Sequence, residues 1–185
     1  MKLNDITQYI QEICQNISKV LDVDVTVVSK DLYRIAGTGI FKDKIGDKIS
    51  EEAVYSNVLK TGNSYIINKE IENRCITCSS REHCKELADI CTPIKLGSEN
   101  LGILGIAAFT EEQKQKILSK DKELREFISS MSDLISFKLD EMYKEEIEKA
   151  IKKYGSNTQE MKKVADALNI GIATLYRKVK KYNIK

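Results

Sequence analysis

The sequence predicts an α+β domain, an antiparallel sheet flanked by helices, followed by a long linking helix and a small all-α module. Short β-branched stretches with alternating polarity recur between residues 23 and 109. From residue 111 onward the apolar residues recur at helical spacing instead. Charge also divides the chain, because residues 144–185 carry a net +6 and the residues before them a net −4. A basic end on a mildly acidic body is typical of a protein that meets nucleic acid at one end.

The length and composition are those of an ordinary globular protein. The 185 residues suffice for one domain and a small module, and 42% hydrophobic with 31% charged residues exclude a disordered or fibrous chain. The longest apolar run, residues 101–109, has the length of a strand rather than of a membrane span. The first residues lack the apolar segment of a signal peptide. We therefore expect a cytoplasmic protein with no membrane partner.

The first hundred residues alternate between helical and strand patterns. An apolar stripe at three- and four-residue steps, from Ile6 to Leu21, predicts an amphipathic first helix. A short helix is predicted over residues 50–59. The predicted strands are residues 23–28, 32–36, 64–68, 92–96 and 101–109. The last two form a hairpin, and a cysteine-bearing excursion over residues 69–91 precedes them.

A helix of more than thirty residues is predicted from Glu111. Its stripe is wider than a coiled-coil seam, and comprises Leu124, Ile128, Met131, Ile135 and Met142 with flanking apolar residues. We expect one side to pack on the sheet and the other to meet a second copy of the chain, giving a homodimer. The alternative is a helix that packs only on its own domain.

Three further helices are predicted at the basic end. The first runs from Glu145 to Tyr154 and ends at Gly155, and Asn157 begins the second. A short turn over residues 169–171 leads to the third, residues 172–181. This third helix carries four of the eleven basic residues of the module.

The turn and the last helix resemble the Fis-type helix-turn-helix found at the end of bacterial enhancer-binding activators. The family pattern is Leu-Gly-Ile-Ser-Arg-x-Thr-Leu-Tyr-Arg-Lys-Leu, and residues 168–179 match its second half and differ at Asn169, Gly171 and Ile172. The resemblance implies that the helix contacts double-stranded DNA. The candidate DNA-binding residues are Ile172, Ala173, Thr174, Tyr176, Arg177, Lys178, Lys180 and Lys181. The alternative is a helical hairpin that serves only assembly.

Four of the five cysteines form a spaced cluster, Cys75, Cys78, Cys84 and Cys91. Four soft ligands within seventeen residues suit an iron–sulfur cluster or tetrahedral zinc. Redox-active thiols and purely structural cysteines are the alternatives. The basic neighbours Arg74, Arg81 and Lys85 are expected to favour thiolates.

The remaining cysteine and the single histidine are interpreted as structural. Cys14 falls on the apolar stripe of the first helix, so we expect a buried small hydrophobic residue. His83 adjoins Cys84, and neighbouring residues rarely face one metal centre, so we expect an exposed loop residue.

Residues 50–109 resemble the GAF-like sensor domain of clostridial-type enhancer-binding regulators. The resemblance rests on residues 58–62, the Cys75-x2-Cys78 pair, residues 84–94 and residues 101–105, and extends more loosely over residues 1–143. The order of the predicted elements is also that of GAF or PAS sensor domains. The resemblance implies a signal-sensing role.

Those regulators carry a central ATPase, whereas this sequence contains no Gly-x4-Gly-Lys phosphate loop. We expect three parts: a sensor in residues 1–110, a signalling and dimerisation helix in residues 111–143, and a DNA-binding module in residues 144–185. The predicted function is a transcriptional regulator without ATPase activity that senses redox state or metal status through the cysteines. The alternative is a small-molecule sensor with structural zinc. An enzyme is not expected, because the Cys75–Cys78 pair lacks the βαβ setting of thiol oxidoreductases.

Overall fold

The computed structural model describes residues 2–76, 78 and 81–184. By its contacts the chain divides into two compact units, Met1–Ser136 and Phe137–Lys185. The predicted boundaries at residues 110 and 143 stay predictions. No helix in the described ranges is long and apolar enough to cross a membrane.

The first unit is built on a five-stranded antiparallel sheet, which confirms the predicted fold class. The strand order is β2-β1-β5-β4-β3. The strands are β1 (Asp24–Ser29), β2 (Arg34–Gly37), β3 (Tyr65–Asn68), β4 (Ala88–Leu96) and β5 (Glu99–Ala108). Central strands β4 and β5 are buried almost throughout, because helices cover both faces of the sheet.

Seven α-helices are described: α1 (Thr7–Leu21), α2 (Val54–Thr61), α3 (Asn73–Ile76), α4 (Glu111–Ser119), α5 (Asp121–Tyr154), α6 (Thr158–Ala167) and α7 (Ile172–Tyr182). Short 3-10 helices occupy Leu3–Ile6 and Gly39–Lys44. The single helix predicted from Glu111 is interrupted, because the backbone of Lys120 leaves the helical region (φ −119°, ψ 33°). Conversely, the helix predicted separately from Glu145 is the end of α5.

One face of the sheet packs on α2. Four residues of β1, β3, β4 and β5 (Val28, Ile67, Cys91 and Ile103) pack against Val54, Tyr55 and Val58 of α2. Helix α1 contacts β1 and β2, and α4 contacts β4 and β5. The first half of α5 is tied to the sheet by Ser132, whose Oγ donates a hydrogen bond of 2.7 Å to the carbonyl of Pro93.

The cysteine-bearing excursion is shorter than predicted. It ends at Leu87, because the backbone from Ala88 onward pairs with both β3 and β5. Cys91 therefore lies inside strand β4, opposite Tyr65 on β3 and Gly105 on β5. The sequence of Ala88–Leu96 does not alternate regularly between polar and apolar residues, because both faces of this central strand are buried. The start of the strand was therefore not predicted.

The second unit is a three-helix module formed by the end of α5 with α6 and α7. Its core comprises Ile147, Ala150, Met161, Val164, Ala165 and Leu175. Gly155 ends α5 with φ 95°, and its amide donates to the carbonyl of Ile151 at 2.8 Å, as predicted for a glycine stop. Asn157 begins α6, its side chain accepting hydrogen bonds from the amides of Gln159 and Glu160.

Candidate functional site

A buried arginine lies at the edge of the α2-covered face of the sheet. Arg34 on β2 is 7% exposed, and its guanidinium hydrogen-bonds the hydroxyl of Thr26 on β1. The same guanidinium lies 4.2 Å from the centroid of the Phe41 ring. These contacts hold the side chain in one orientation and leave Nε without a hydrogen-bond partner among the described residues. Arg34 is therefore an oriented buried cation.

A buried carboxyl group lies on β4 of the same sheet. Asp89 is 1% exposed, and the hydroxyl of Tyr55 on α2 donates a hydrogen bond of 2.6 Å to its Oδ2. Burial and the nearby Glu86 carboxylate raise the pKa of Asp89 well above its usual range. Gly105 makes this contact possible, because a Cβ there would lie 2.1 Å from the Tyr55 hydroxyl.

Two adjoining cavities open between this face of the sheet and the cysteine-bearing excursion. The larger has a volume of about 320 Å³ and is lined by Arg34, Phe109 and several charged residues, among them Lys44, Lys48 and Lys85. The smaller has a volume of about 90 Å³ and reaches Asp89. The residues that line both cavities are Ala53, Tyr55, Cys78, Cys84 and Glu86. The two cavities therefore form one site with a cationic outer part and an apolar inner part.

Three of the four clustered cysteines border this site. Cys75, Cys78 and Cys84 line the smaller cavity, and Cys78 and Cys84 also line the larger one. Cys91 lines neither of these cavities. Its thiol is buried in the α2 core and lies 3.8 Å from the carbonyl oxygen of Tyr65. Within residues 2–76, 78 and 81–184, no group of three or more His, Cys, Asp or Glu side chains is arranged to hold a metal ion. The four-cysteine iron–sulfur or zinc site stays a prediction.

The surroundings of Cys75 and Cys84 disfavour the thiolates expected from the sequence. Burial, together with Cys84 and Glu72, raises the pKa of Cys75 to about 11. Burial and the Glu86 carboxylate likewise raise the pKa of Cys84. The thiolates were expected because basic residues lie next to the cysteines in the sequence. The sequence does not show that burial removes water from the sulfur atoms.

The two residues interpreted as structural lie where expected. Cys14 lies on the buried side of α1, and burial raises the pKa of its thiol to about 12. His83 is exposed at the rim of the larger cavity.

The second unit places α6 and α7 around a tight turn. Asn169 in the turn adopts φ 51°, a left-handed conformation that Asn tolerates better than most residues. Asn169 therefore keeps the turn where the family pattern has glycine. Leu175 of α7 points into the helical core with no exposed surface. The opposite side of α7 faces solvent.

The predicted DNA-binding residues divide into two groups. Six are exposed: Ile172, Ala173, Tyr176, Arg177, Lys180 and Lys181. Thr174 is half-buried at the start of α7. Lys178 is half-buried as well, and both Lys178 and Lys181 contact α5: Lys178 Nζ lies 3.8 Å from the centroid of the Tyr143 ring, and Lys181 Nζ pairs with Asp140 at 2.6 Å. The exposed group presents the surface expected of a recognition helix, and DNA contact by these eight residues stays a prediction.

Sequence reasoning missed four polar residues that line the cavities: Arg34, Tyr55, Glu86 and Asp89. A signal for two of them was available. Arg34 and Asp89 are charged residues within otherwise apolar strands, and such residues are rarely buried without a role. Tyr55 and Glu86 carry no comparable signal in the sequence.

The comparisons with known proteins agree with both units. Residues 138–182 match the model of the bacterial regulatory protein, Fis family. A putative uric acid sigma-54-dependent transcriptional regulator of Escherichia coli (strain K12), UacR, is 28% identical over 139 residues. That match covers 74% of this chain and 24% of UacR, so the chain spans about a quarter of the length of this relative.

Solved structures resemble the first unit in fold. The GAF domain of A. Aeolicus nlh2 in an inactive state superposes with a TM-score of 0.54 at 18% identity, covering 72% of this chain and 85% of that one. A type II free methionine-R-sulfoxide reductase from Thermoplasma acidophilum gives a TM-score of 0.50 at 14% identity, covering 73% and 95%. Identities this low establish the fold alone. The chain therefore combines a GAF-like fold with a C-terminal helical segment that matches the Fis family of bacterial regulatory proteins.

Proposed function

We propose that this protein is a DNA-binding transcriptional regulator whose GAF-like unit binds a small molecule in the cavities beneath the cysteine-bearing excursion. The observation that carries the proposal is the site itself, a cavity of about 320 Å³ lined by charged groups and continued by a smaller, mainly apolar one. Small-molecule sites are concave, have volumes of about 300–1,000 Å³, and combine apolar walls with a few oriented polar groups. Regulation rather than catalysis is the role of the chain.

DNA binding is supported by the Fis-family match and by the exposed side chains of α7. Arg177 and Lys180 supply charges for phosphate, and Ala173 and Tyr176 supply contacts to base edges or methyl groups. Helix α5 contributes residues to both units. We propose that ligand binding changes DNA affinity through this helix, which requires only that the ligand bind two states of the protein unequally.

The first ligand to test is urate, because the name of the Escherichia coli relative contains uric acid. A duplex selected from random double-stranded DNA would be labelled, and its affinity for the full chain measured by fluorescence anisotropy with and without urate. We expect specific binding that weakens as salt rises and a changed affinity in urate. Absence of specific DNA binding would contradict the proposal.

A second candidate signal is the redox or metal status of the cysteines, supported by the convergence of Cys75, Cys78 and Cys84 on one cavity. An iron–sulfur cluster or zinc would displace the thiol protons of these residues. The test is anaerobic purification with iron, sulfide and zinc measured per chain. Loss of metal in Cys75→Ser, Cys78→Ser and Cys84→Ser, but not in the matched Cys14→Ser, would support this candidate. Metal-free wild-type protein that still binds DNA would rule it out.

We also propose that the regulator is a homodimer. Two large apolar side chains of α5, Leu134 and Phe137, are 44% and 68% exposed. A second copy of the chain would bury them and would pair two recognition helices, as helix-turn-helix proteins do on two half-sites.

A further inference from the structure

The exposed side of α7 changes its chemistry along the helix. Ile172, Ala173 and Tyr176 lie in the first half and are exposed, with 37% of Ile172 and 46% of Tyr176 accessible. Arg177 and Lys180 follow in the second half and are exposed as well. Residues three and four apart are neighbours on a helix surface, so these five side chains form one continuous surface. This surface has an apolar start, comprising Ile172, Ala173 and Tyr176, and a cationic second half.

The space in front of this apolar start is open. Gly171 precedes the helix and carries no side chain, and the atom nearest to a Cβ built at that position is Thr174 Oγ1 at 3.9 Å. Leu175, by contrast, is fully buried in the core of the module. The Ile172 side chain is therefore accessible to a partner.

The length of this surface matches the major groove of DNA. A helix rises about 1.5 Å per residue, so residues 172 and 180 lie about 12 Å apart along the axis, and the major groove is about as wide. In helix-turn-helix proteins the N-terminal residues of the recognition helix contact base edges. Given the DNA binding proposed above, the apolar start of α7 meets the bases and the cationic second half meets the phosphates.

Apolar side chains can read one feature of the major groove. Ile172 and Ala173 have no polar side-chain atom, so neither side chain can form a hydrogen bond with the edge of a base. Among the groups that the base pairs present in this groove, the C5-methyl of thymine is the apolar one. We propose that Ile172 is a specificity-determining residue that packs on this methyl group, so that the preferred DNA site has thymine where it faces the start of α7. Tyr176 extends the same apolar surface by one turn.

Deoxyuridine in place of thymidine tests this contact, because uracil keeps the hydrogen-bonding edge of thymine and lacks only the methyl group. The thymines of a duplex selected from random DNA would be replaced one at a time. The affinity of the full chain for each duplex would be measured by fluorescence anisotropy at constant salt. We expect replacement of the contacted thymine to weaken binding about fourfold, the effect of burying one methyl-sized apolar group. A selected site in which no thymine shows this loss would overturn the proposal, even if no variant of Ile172 folds.

Three variants assign the contact to Ile172. Ile172→Ser removes the apolar side chain, so this variant should bind the selected duplex and its uracil counterpart equally. Ile172→Val keeps a branched apolar side chain and should retain the loss. Ile71→Ser is the matched control, because Ile71 is 75% exposed in the first unit and its replacement should leave the fourfold loss unchanged. A uracil effect that persists in Ile172→Ser would arise from DNA shape or from another residue, and would overturn the assignment.

Failure of this inference is distinguishable from failure of the proposed function. Specific DNA binding without sensitivity to uracil would overturn the thymine contact and leave the regulator standing. Absence of specific binding to the unsubstituted duplex would overturn both.

Discussion

The hydroxyl of Tyr182 on α7 donates a hydrogen bond of 2.5 Å to Oδ1 of Asp140 on α5. Oδ2 of the same carboxylate pairs with Lys181 Nζ at 2.6 Å. Both oxygens of one side chain are therefore used to hold the last turn of α7 against α5. The exposed side of α7, with Arg177 and Lys180, owes its orientation in part to this contact.

The first prediction concerns Asp140→Asn. The variant keeps the shape of the side chain but replaces a charged acceptor, so we expect a loss of about 1–2 kcal/mol in the free energy of unfolding. Urea denaturation of the full chain measures it, with amide exchange in α7 as a local readout. Glu141→Gln is the control, because Glu141 is exposed and pairs with Lys138 of the same helix at 2.8 Å. Equal losses in both variants would show that the α5–α7 contact stabilises the protein no more than an exposed ion pair within one helix does.

The second prediction is the pH dependence of this contact. Burial raises the pKa of Asp140, but hydrogen bonds from Lys181 and Tyr182 outweigh it and hold the pKa below its usual value of 3.8. A carboxyl whose folded-state pKa is lowered stabilises the protein above its unfolded-state pKa. This stabilisation should disappear as the pH falls below about 4, through the folded-state pKa. The difference in stability between wild type and Asp140→Asn should therefore shrink in acid, and a difference that stays constant from pH 7 to pH 3 would contradict the assignment.

The third prediction separates the basic residues of α7. Arg177→Ala should weaken DNA binding and reduce the slope of log K against log salt by about one, as loss of one phosphate contact does. Lys178→Ala should change the salt slope less, because the Lys178 ammonium already lies over the Tyr143 ring. Anisotropy titrations at several salt concentrations measure both, with Lys122→Ala in the first unit as the control. An equal change of the salt slope in the two α7 variants would show that Lys178 also contacts a DNA phosphate.

The fourth prediction tests the homodimer. Phe137→Glu puts a charge on the exposed apolar part of α5, so the mass in solution should fall from twice 21.0 kDa to 21.0 kDa. Light scattering after size exclusion measures it. Ile71→Glu is the matched control, because Ile71 is 75% exposed but lies outside α5. A monomeric wild-type protein, or a dimer unaffected by Phe137→Glu, would contradict the prediction.

The sequence predicted local structure well where one face of an element is apolar. The stripe of α1, the glycine stop at Gly155 and the cap at Asn157 depend on neighbouring residues alone, and all three are present. No glycine or proline lies at the break at Lys120, so the local sequence does not predict that the helix ends there.

The site was predicted only in part, because its residues meet through tertiary structure. The spacing of Cys75, Cys78 and Cys84 is local, and these three residues line one cavity, whereas a metal site formed by them stays a prediction. The approach of Tyr55 on α2 to Asp89 on β4 joins residues 34 positions apart and depends on the packing of α2 across the sheet. The pKa values of the thiols also depend on burial, which the charges of neighbouring residues in the sequence do not reveal.

The last prediction concerns the glycine that admits this contact. A Cβ at position 105 would lie 2.1 Å from the Tyr55 hydroxyl and 2.9 Å from the ring carbon that bears it. Gly105→Ala therefore forces α2 or the Tyr55 side chain away from the sheet, which typically costs about 1–3 kcal/mol in a packed core. The displaced hydroxyl also leaves Asp89 without its hydrogen bond. We expect a lowered free energy of unfolding in urea.

A double variant identifies the clash as the cause. Tyr55→Phe removes the hydroxyl that the new Cβ would meet, so Gly105→Ala should cost less in that background than in the wild type. Gly171→Ala is the control for a glycine substitution without a clash, because the contact nearest to its added Cβ is Thr174 Oγ1 at 3.9 Å. If the two changes at positions 55 and 105 prove additive in their effect on stability, Gly105 has some role other than making room for the tyrosine.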